Sequence, residues 1–137
     1  MIQDSVKKIY LNEDYNCAET VLRAANEAYD LGLPGDVHKL VSAFGAGMGC
    51  ERTCGAVCGA MAVLGWLRAE GRAHITPGFK ELCAGLVAKV EEECGSIQCS
   101  ALMAKYRKED VRCLDTILRV AGVLDAYLKE TEQAGEQ

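Results

Sequence analysis

The stretch from Cys54 to about Glu70 is apolar around its whole circumference, and it limits the fold more than any other feature of the chain. A helix that is hydrophobic on every side is either a membrane span or the centre of a larger protein. The longest apolar run, Ala56 to Leu67, is far shorter than the roughly 20 residues that cross a bilayer. The stretch is therefore predicted to be a central buried helix, with no membrane insertion.

Apolar residues recur at helical spacing on both sides of this stretch, and no strand-like alternation interrupts them. Asn16 and Glu19 predict a capping box at the start of one helix. Thr53 is expected to cap the central helix and Asp110 the last one. Residues 96–109 are less regular, and only one helical turn is expected among them. The predicted fold is all-α, a compact bundle of five or six helices around the central apolar helix.

The size and charge of the chain limit its organisation and its partners. It has 137 residues and a net charge of −5, so it has the length of one domain and is a poor partner for nucleic acid. Its first ten residues contain no apolar signal-peptide core, which predicts a cytoplasmic location. We expect residues 1–130 to form a single helical domain and residues 131–137 to be a flexible tail.

The chain contains eight cysteines, which is many for a protein expected in the cytoplasm. Thiols stay reduced there, so the cysteines indicate metal binding or redox chemistry before structural disulfides. No CxxC pair occurs, which excludes the thioredoxin motif and most zinc ribbons. Cys17, Cys54 and Cys113 are predicted to lie in first helical turns, and Cys99 in a turn nearby. A helix N-terminus lowers the pKa of a thiol and stabilises an anionic cluster.

The other four cysteines give weaker signals. Cys58 follows Cys54 by one helical turn, so the two are too far apart for a disulfide but could face the same metal. Cys50 could join them from the glycine-rich stretch that precedes the central helix, and whether Cys50 and Cys58 belong to the site is left open. Cys83 and Cys94 lie on an apolar stripe, where packing is the favoured explanation.

The motifs together resemble a known family. Asn16-Cys17-Ala18-Glu19, the run Gly45 to Gly49, the segment Thr53 to Ala60, and then Cys99 and Cys113 are similar to the C_GCAxxG_C_C family. The resemblance extends from Cys17 to about Leu128 and implies a redox-active protein. It also implies four site cysteines, Cys17, Cys54, Cys99 and Cys113, and two glycines that contact a cofactor, Gly55 and Gly59.

The leading hypothesis is that the four cysteines of the family pattern converge and bind an iron–sulfur cluster that exchanges electrons with a redox partner protein. Whether the protein is an enzyme is left open. A second hypothesis is a metal-free thiol–disulfide oxidoreductase in which Cys54 attacks and Cys17, Cys99 or Cys113 resolves the mixed disulfide.

Two further hypotheses involve no redox chemistry. Four cysteine thiolates suit a structural zinc ion, which would make the protein a zinc-binding helical module. A helical interaction module with incidental cysteines is the last hypothesis. The face that carries Gly55 and Gly59 suits close packing within or between chains, so a homo-oligomer is one expectation.

Overall fold

The computed structural model describes residues 1–135, with side chains described through residue 132. Within those residues the chain forms helices and no strand, as the all-α prediction requires. The six α-helices are Gln3–Lys7 (α1), Cys17–Tyr29 (α2), Gly55–Arg68 (α3), Phe79–Cys94 (α4), Cys99–Tyr106 (α5) and Leu114–Gly135 (α6). A π-helical turn, Lys8–Asn12, extends α1, and short 3-10 helices cover Val37–Phe44 and Ala73–Ile75.

Helix α2 begins at the predicted capping box. The Asn16 side-chain oxygen accepts the N–H of Glu19 at 3.0 Å, and the Glu19 carboxylate accepts the N–H of Asn16 at 3.1 Å. Both bonds satisfy N–H groups that the first turn of a helix leaves unpaired. The box therefore fixes Cys17 as the first residue of α2.

Helix α3 lies at the centre of the bundle and packs on α2, α4 and α6. Gly59 lets α2 approach closely, because a Cβ atom there would stand 2.6 Å from the carbonyl oxygen of Ala18. The prediction that α3 is buried on every side is wrong for its last turns, where Trp66 is 60% exposed. The neighbouring helices cover only part of its circumference, so the far end of α3 reaches solvent.

Thr53 does not cap α3. It pairs instead with Gln98 in an isolated antiparallel bridge, and Cys54 occupies the position just before the helix. Helix α5 is also longer than the predicted single turn, because this bridge gives Cys99 a defined starting position.

Asp110 does not cap α6, which begins at Leu114. A bridge between Lys108 and Arg112 closes a turn around Asp110, and Arg112 adopts a left-handed φ of 53°. A right-handed helix cannot include such a residue, so α6 starts after it.

The beginning of the chain is tied to α6. Buried Asp125 accepts the backbone N–H of Ile2 at 3.0 Å and also the hydroxyl of Tyr29. One carboxylate therefore joins the N-terminal segment, α2 and α6.

The backbone of residues 131–135 continues α6. Residues 136 and 137 of the predicted tail lie outside the described residues, and the flexibility of the tail stays a prediction. None of the helices in residues 1–135 combines the length and the apolar character that crossing a bilayer requires.

Candidate functional site

Four cysteines line one cavity of about 300 Å³, and each marks the start of a different helix. Cys17 and Cys99 are the first residues of α2 and α5, while Cys54 and Cys113 directly precede α3 and α6. These are the four cysteines that the family resemblance selects. The structure thus brings together residues that are spread over most of the chain.

The Thr53–Gln98 bridge holds two of these thiols side by side. The N–H of Cys54 donates to the carbonyl oxygen of Ile97 at 2.7 Å, and the N–H of Cys99 donates to that of Arg52. Both sulfurs are deep, since Cys54 is 5% and Cys99 7% exposed. Backbone hydrogen bonds therefore set where α3 and α5 begin, and with that the positions of the two most buried cysteines of the cavity.

Cys17 lies against helix α3 at Gly55. A Cβ atom on Gly55 would overlap the Cys17 sulfur and would stand 2.7 Å from the carbonyl oxygen of Phe44. Glycine is therefore required there for Cys17 to reach the cavity. Gly55 lines the cavity, whereas Gly59, the second predicted cofactor-contacting glycine, does not and packs on α2 instead.

A left-handed turn covers the other side of Cys17. Its residues with positive φ are Ala46, Gly47, Met48, Gly49 and Glu51. Each residue here other than glycine is about 1–2 kcal/mol less stable in this conformation than in a right-handed one. Ala46 lines the cavity, and its N–H favours the thiolate of Cys17. Such strained backbone is commonly retained near functional sites. Here the strained turn places the N–H of Ala46 next to the sulfur of Cys17.

Cys113 is positioned by residues that the sequence pattern did not single out. Its N–H donates to the Tyr10 hydroxyl at 3.3 Å, and the Arg112 guanidinium stacks over the Tyr10 ring at 4.5 Å. Arg112 and Arg107 both line the cavity. Arg107 belongs to a short basic run, Lys105 to Lys108, and nothing in the spacing of that run or of Arg112 links these cations to the cysteines.

The remaining wall combines apolar side chains with Asn16 and with one hydroxyl that has no hydrogen-bond partner. Leu102, Met103 and Ile117 contribute hydrophobic surface. Thr116 also lines the cavity, and its hydroxyl oxygen is buried without a hydrogen-bond partner among the described residues. An unpaired buried hydroxyl lowers the stability of a protein. The hydroxyl of Thr116 is therefore a hydrogen-bonding group in the cavity wall that the protein itself does not pair.

Burial governs the protonation of the thiols. It raises the pKa of Cys54 from its ordinary value of 9.0 to about 12, although the N–H groups of Val57 and Ala56 act in the opposite direction. Burial likewise raises the pKa of Cys17 and of Cys99, and the neighbouring Cys113 sulfur raises both further. The expectation that helix N-termini lower the pKa values of Cys17 and Cys54 is therefore wrong, because desolvation outweighs the helix field.

The other four cysteines do not line the cavity. Cys50 is exposed and contacts the carbonyl oxygen of Gly47, while Cys58 is half-buried on α3. Cys94 is buried in the core, as the packing explanation requires, and Cys83 is half-buried on the same helix.

The thiols surround a space instead of converging on a point. Across residues 1–135, no three cysteine, histidine or acidic side chains come close enough together to hold a single metal ion.

Residues 15–127 match the family model described as "Putative redox-active protein (C_GCAxxG_C_C)". The chain belongs to the C_GCAxxG_C_C family. The match covers all four cavity cysteines and most of the chain, so the family pattern and the cavity coincide. No curated protein and no solved structure shows a recognisable similarity to this C_GCAxxG_C_C protein.

Proposed function

We propose that this C_GCAxxG_C_C protein binds an iron–sulfur cluster through Cys17, Cys54, Cys99 and Cys113 and transfers electrons. One observation carries the proposal: of eight cysteines, the four that define the family line a single cavity, and the other four do not. Such a cluster, when bound, supplies reversible one-electron transfer.

The donor set and the shape of the cavity fit this group. Four cysteine thiolates are the usual ligands of two-iron and four-iron clusters. A cluster presents several iron atoms to its ligands, so its thiolates stand further apart than the ligands of one ion. This agrees with thiols that line a cavity of about 300 Å³ and do not meet at a point. The missing Cβ of Gly55 keeps the space beside Cys17 open.

The surrounding charges suit an anionic occupant. Helix starts place partial positive charge near all four thiols, and Arg107 and Arg112 add two full charges to the wall. The raised pKa values of Cys17, Cys54 and Cys99 mean that these thiols hold their protons until cations displace them.

The residues around the cavity would also affect the reduction potential of a bound cluster. The deep positions of Cys54 and Cys99, and the apolar side chains of Leu102, Met103 and Ile117, keep water away from half of the ligands. The N–H of Ala46 favours the Cys17 thiolate. Solvent exclusion and hydrogen bonds to sulfur both set the reduction potential of a thiolate-bound cluster.

The test is purification without oxygen, followed by iron and sulfide analysis and by UV-visible and EPR spectra before and after dithionite. We expect stoichiometric iron and sulfide and an absorption band that dithionite bleaches. Serine substitutions at the four cavity cysteines should each lower the iron content or alter the EPR signal. Cys50→Ser and Cys83→Ser are matched controls outside the cavity and should leave both unchanged.

Four outcomes would contradict the proposal, and together they point to three alternatives. Bound zinc without a redox response would select the structural zinc hypothesis. A metal-free protein in which cavity cysteines form a reversible disulfide would select thiol chemistry. Rapid alkylation of Cys54 below neutral pH would support the same alternative, although its pKa near 12 argues against a reactive thiolate. Unchanged fold and metal content after replacement of all four cysteines would select the interaction module.

A further inference from the structure

The one buried hydroxyl that lacks a hydrogen-bond partner among the described side chains belongs to the cysteine cavity. Thr116 is 3% exposed and lines the cavity, and its Oγ1 makes no hydrogen bond within the described residues. The two other buried polar atoms without a partner there are nitrogens of Arg23 and His38, which do not line the cavity. The unpaired hydroxyl and the four thiols therefore share one space.

The start of α6 explains why Thr116 is unpaired. A threonine within a helix commonly donates to the carbonyl oxygen four residues earlier, and Thr131 of the same helix donates in this way to Tyr127 at 2.8 Å. For Thr116 that carbonyl belongs to Arg112, whose left-handed φ of 53° keeps it out of the helix. The Arg112 carbonyl accepts the N–H of Lys108 instead, at 3.0 Å. The turn before α6 thus leaves the Thr116 hydroxyl free for an occupant of the cavity.

Thr116 and Cys113 are neighbours at the start of α6. Residues three and four positions apart lie on one face of a helix, and Cys113, Thr116 and Ile117 all line the cavity. The Thr116 hydroxyl makes no hydrogen bond with the Cys113 sulfur itself. It is therefore available to a group that this sulfur binds.

Tyr10 brings a second hydroxyl to Cys113. Its oxygen accepts the N–H of Cys113 at 3.3 Å, and the side chain is 5% exposed and lines the cavity. The Tyr10 hydroxyl donates its own proton to no group among the described residues, whereas the buried Tyr127 hydroxyl donates to the carbonyl oxygen of Leu82 at 2.6 Å. Burial raises the pKa of Tyr10, so its hydroxyl keeps this proton at neutral pH. Tyr10 thus offers the cavity a second unused donor.

We propose that the hydroxyls of Thr116 and Tyr10 donate hydrogen bonds to sulfur atoms of the bound cluster and thereby raise its reduction potential. This inference rests on the proposed function and adds the side chains that set the potential. Reduction makes a cluster more negative, and a hydrogen bond strengthens when its acceptor carries more negative charge. A donor held in place therefore stabilises the reduced form more than the oxidised form. The same bond would pair the Thr116 hydroxyl, whose burial is otherwise unfavourable.

The first experiment measures the reduction potential of the iron-loaded protein by a mediated titration without oxygen. Thr116→Val keeps the shape of the side chain and removes the hydroxyl, so it should lower the potential. We expect a change of about tenfold in the equilibrium constant for reduction, which corresponds to roughly 59 mV for one electron. Thr116→Ser keeps the hydroxyl and should have nearly the native potential. Tyr10→Phe should also lower the potential.

Two matched controls remove hydroxyls outside the cavity. Thr131→Val changes the same type of residue in the same helix. Tyr106→Phe changes another buried tyrosine with an arginine over its ring, since Arg119 lies 4.4 Å from the ring centroid. Neither residue lines the cavity, so both variants should keep the native potential. A shift in Thr131→Val as large as that in Thr116→Val would overturn the proposal.

The second experiment detects the hydrogen bond from Thr116 directly. Electron–nuclear double resonance spectra of the reduced cluster, recorded in H₂O and in D₂O, identify exchangeable protons that are coupled to its unpaired electron. The native protein and Thr116→Ser should both show a coupling that Thr116→Val lacks. The same exchangeable couplings in all three proteins would overturn the role of Thr116, because a residue that acts only through packing would not change them.

Iron analysis separates failure of this inference from failure of the proposed function. A native protein without iron and sulfide would refute the cluster, and the donor role with it. An iron-loaded Thr116→Val with the native potential and the native couplings would keep the cluster and refute the donor role alone. Loss of iron from Thr116→Val but not from Thr116→Ser would support the donor role, because the occupant would then require the hydroxyl.

Discussion

Cys54 and Cys99 enter the cavity from segments that are joined by reciprocal backbone hydrogen bonds, Cys54 N–H to Ile97 O at 2.7 Å and Cys99 N–H to Arg52 O. These bonds involve no side chain, so backbone contacts alone hold the two cysteine residues next to each other. Gly47 adjoins this bridge, since a Cβ there would stand 2.6 Å from both the Arg52 nitrogen and the Cys99 Cβ. Backbone contacts therefore position the two most buried cysteines of the cavity.

Gly55→Ala tests whether the space beside Cys17 must stay free, and comparison with a second glycine of the same helix separates this from the general effect of glycine in a helix. The new methyl group would overlap the Cys17 sulfur and crowd the carbonyl oxygen of Phe44. We expect a loss of about 1–3 kcal/mol in the free energy of unfolding, together with a loss of bound iron. Urea denaturation and iron analysis measure the two effects.

Gly65→Ala is the matched control in the same helix. A Cβ atom there meets nothing within 4 Å, so the substitution should stabilise the protein by about 0.5–1 kcal/mol through helix propensity alone. If both variants behaved alike, the Cys17–Gly55 contact would not be important.

The metal-free protein should lose stability at alkaline pH. The pKa of Cys54 is raised to about 12 in the folded state, above the ordinary value of 9.0 expected on unfolding. The folded state then retains a proton that the unfolded state releases, so the stabilising contribution is complete below about pH 9 and is lost as pH rises towards 12. For each such thiol, the free energy of unfolding falls by at most about 1.4 kcal/mol per pH unit in this range.

Urea denaturation of the reduced, metal-free protein between about pH 7 and pH 10.5 measures this slope. Cys54→Ala should make it shallower, and Cys50→Ala, at an exposed position, should not. Equal slopes in the native protein and in Cys54→Ala would show that the thiol ionises as readily when folded as when unfolded.

Thr116→Val should stabilise the metal-free protein. The Thr116 hydroxyl is buried without a partner among the described residues, and valine has the same shape without the polar group. Removing an unsatisfied buried hydroxyl is expected to raise the free energy of unfolding by about 1 kcal/mol. Thr20→Val is the contrasting variant, because the buried Thr20 hydroxyl donates to the carbonyl oxygen of Tyr15. Thr20→Val should destabilise the protein. If Thr116→Val were the more destabilising of the two, the Thr116 hydroxyl would not be unpaired.

Asp125→Ala should be among the more damaging substitutions away from the cavity. It would leave the backbone N–H of Ile2 and the hydroxyl of Tyr29 without an acceptor. We expect a loss of about 2–4 kcal/mol by thermal or urea denaturation. Asp125→Asn keeps one acceptor oxygen and should lose roughly half as much. A loss as small as that of a surface substitution would mean that the N-terminal segment is held by its apolar contacts alone.

The features that could be predicted from the sequence are those that depend on residues close together in the chain. The capping box at Asn16 and Glu19 involves residues three apart, and the structure confirms both of its hydrogen bonds. The weak pattern after Ser96 gave no sign of the full length of α5, because its start depends on a bridge to Thr53, more than forty residues earlier in the chain. Long-range pairing of this kind leaves no trace in the spacing of neighbouring residues.

The electrostatics of the site could not be predicted from position in a helix alone. Cys54 does precede a helix, and the N–H groups of that helix do favour its thiolate, yet burial reverses the net shift. Burial depends on the whole bundle. In the same way, nothing near Arg107 or Arg112 in the sequence indicated that these cations would line the cysteine cavity.

The order of the four cysteines along the chain has a consequence for synthesis. Cys17 leaves the ribosome about a hundred residues before Cys113 and α6, the helix that also anchors Ile2 through Asp125. Until then the first thiols lack their enclosing wall and stand in a partly folded, solvent-accessible chain. Completion of the cavity thus has to wait for the synthesis of α6, and any occupant that needs all four cysteines must be delivered after that helix has been made.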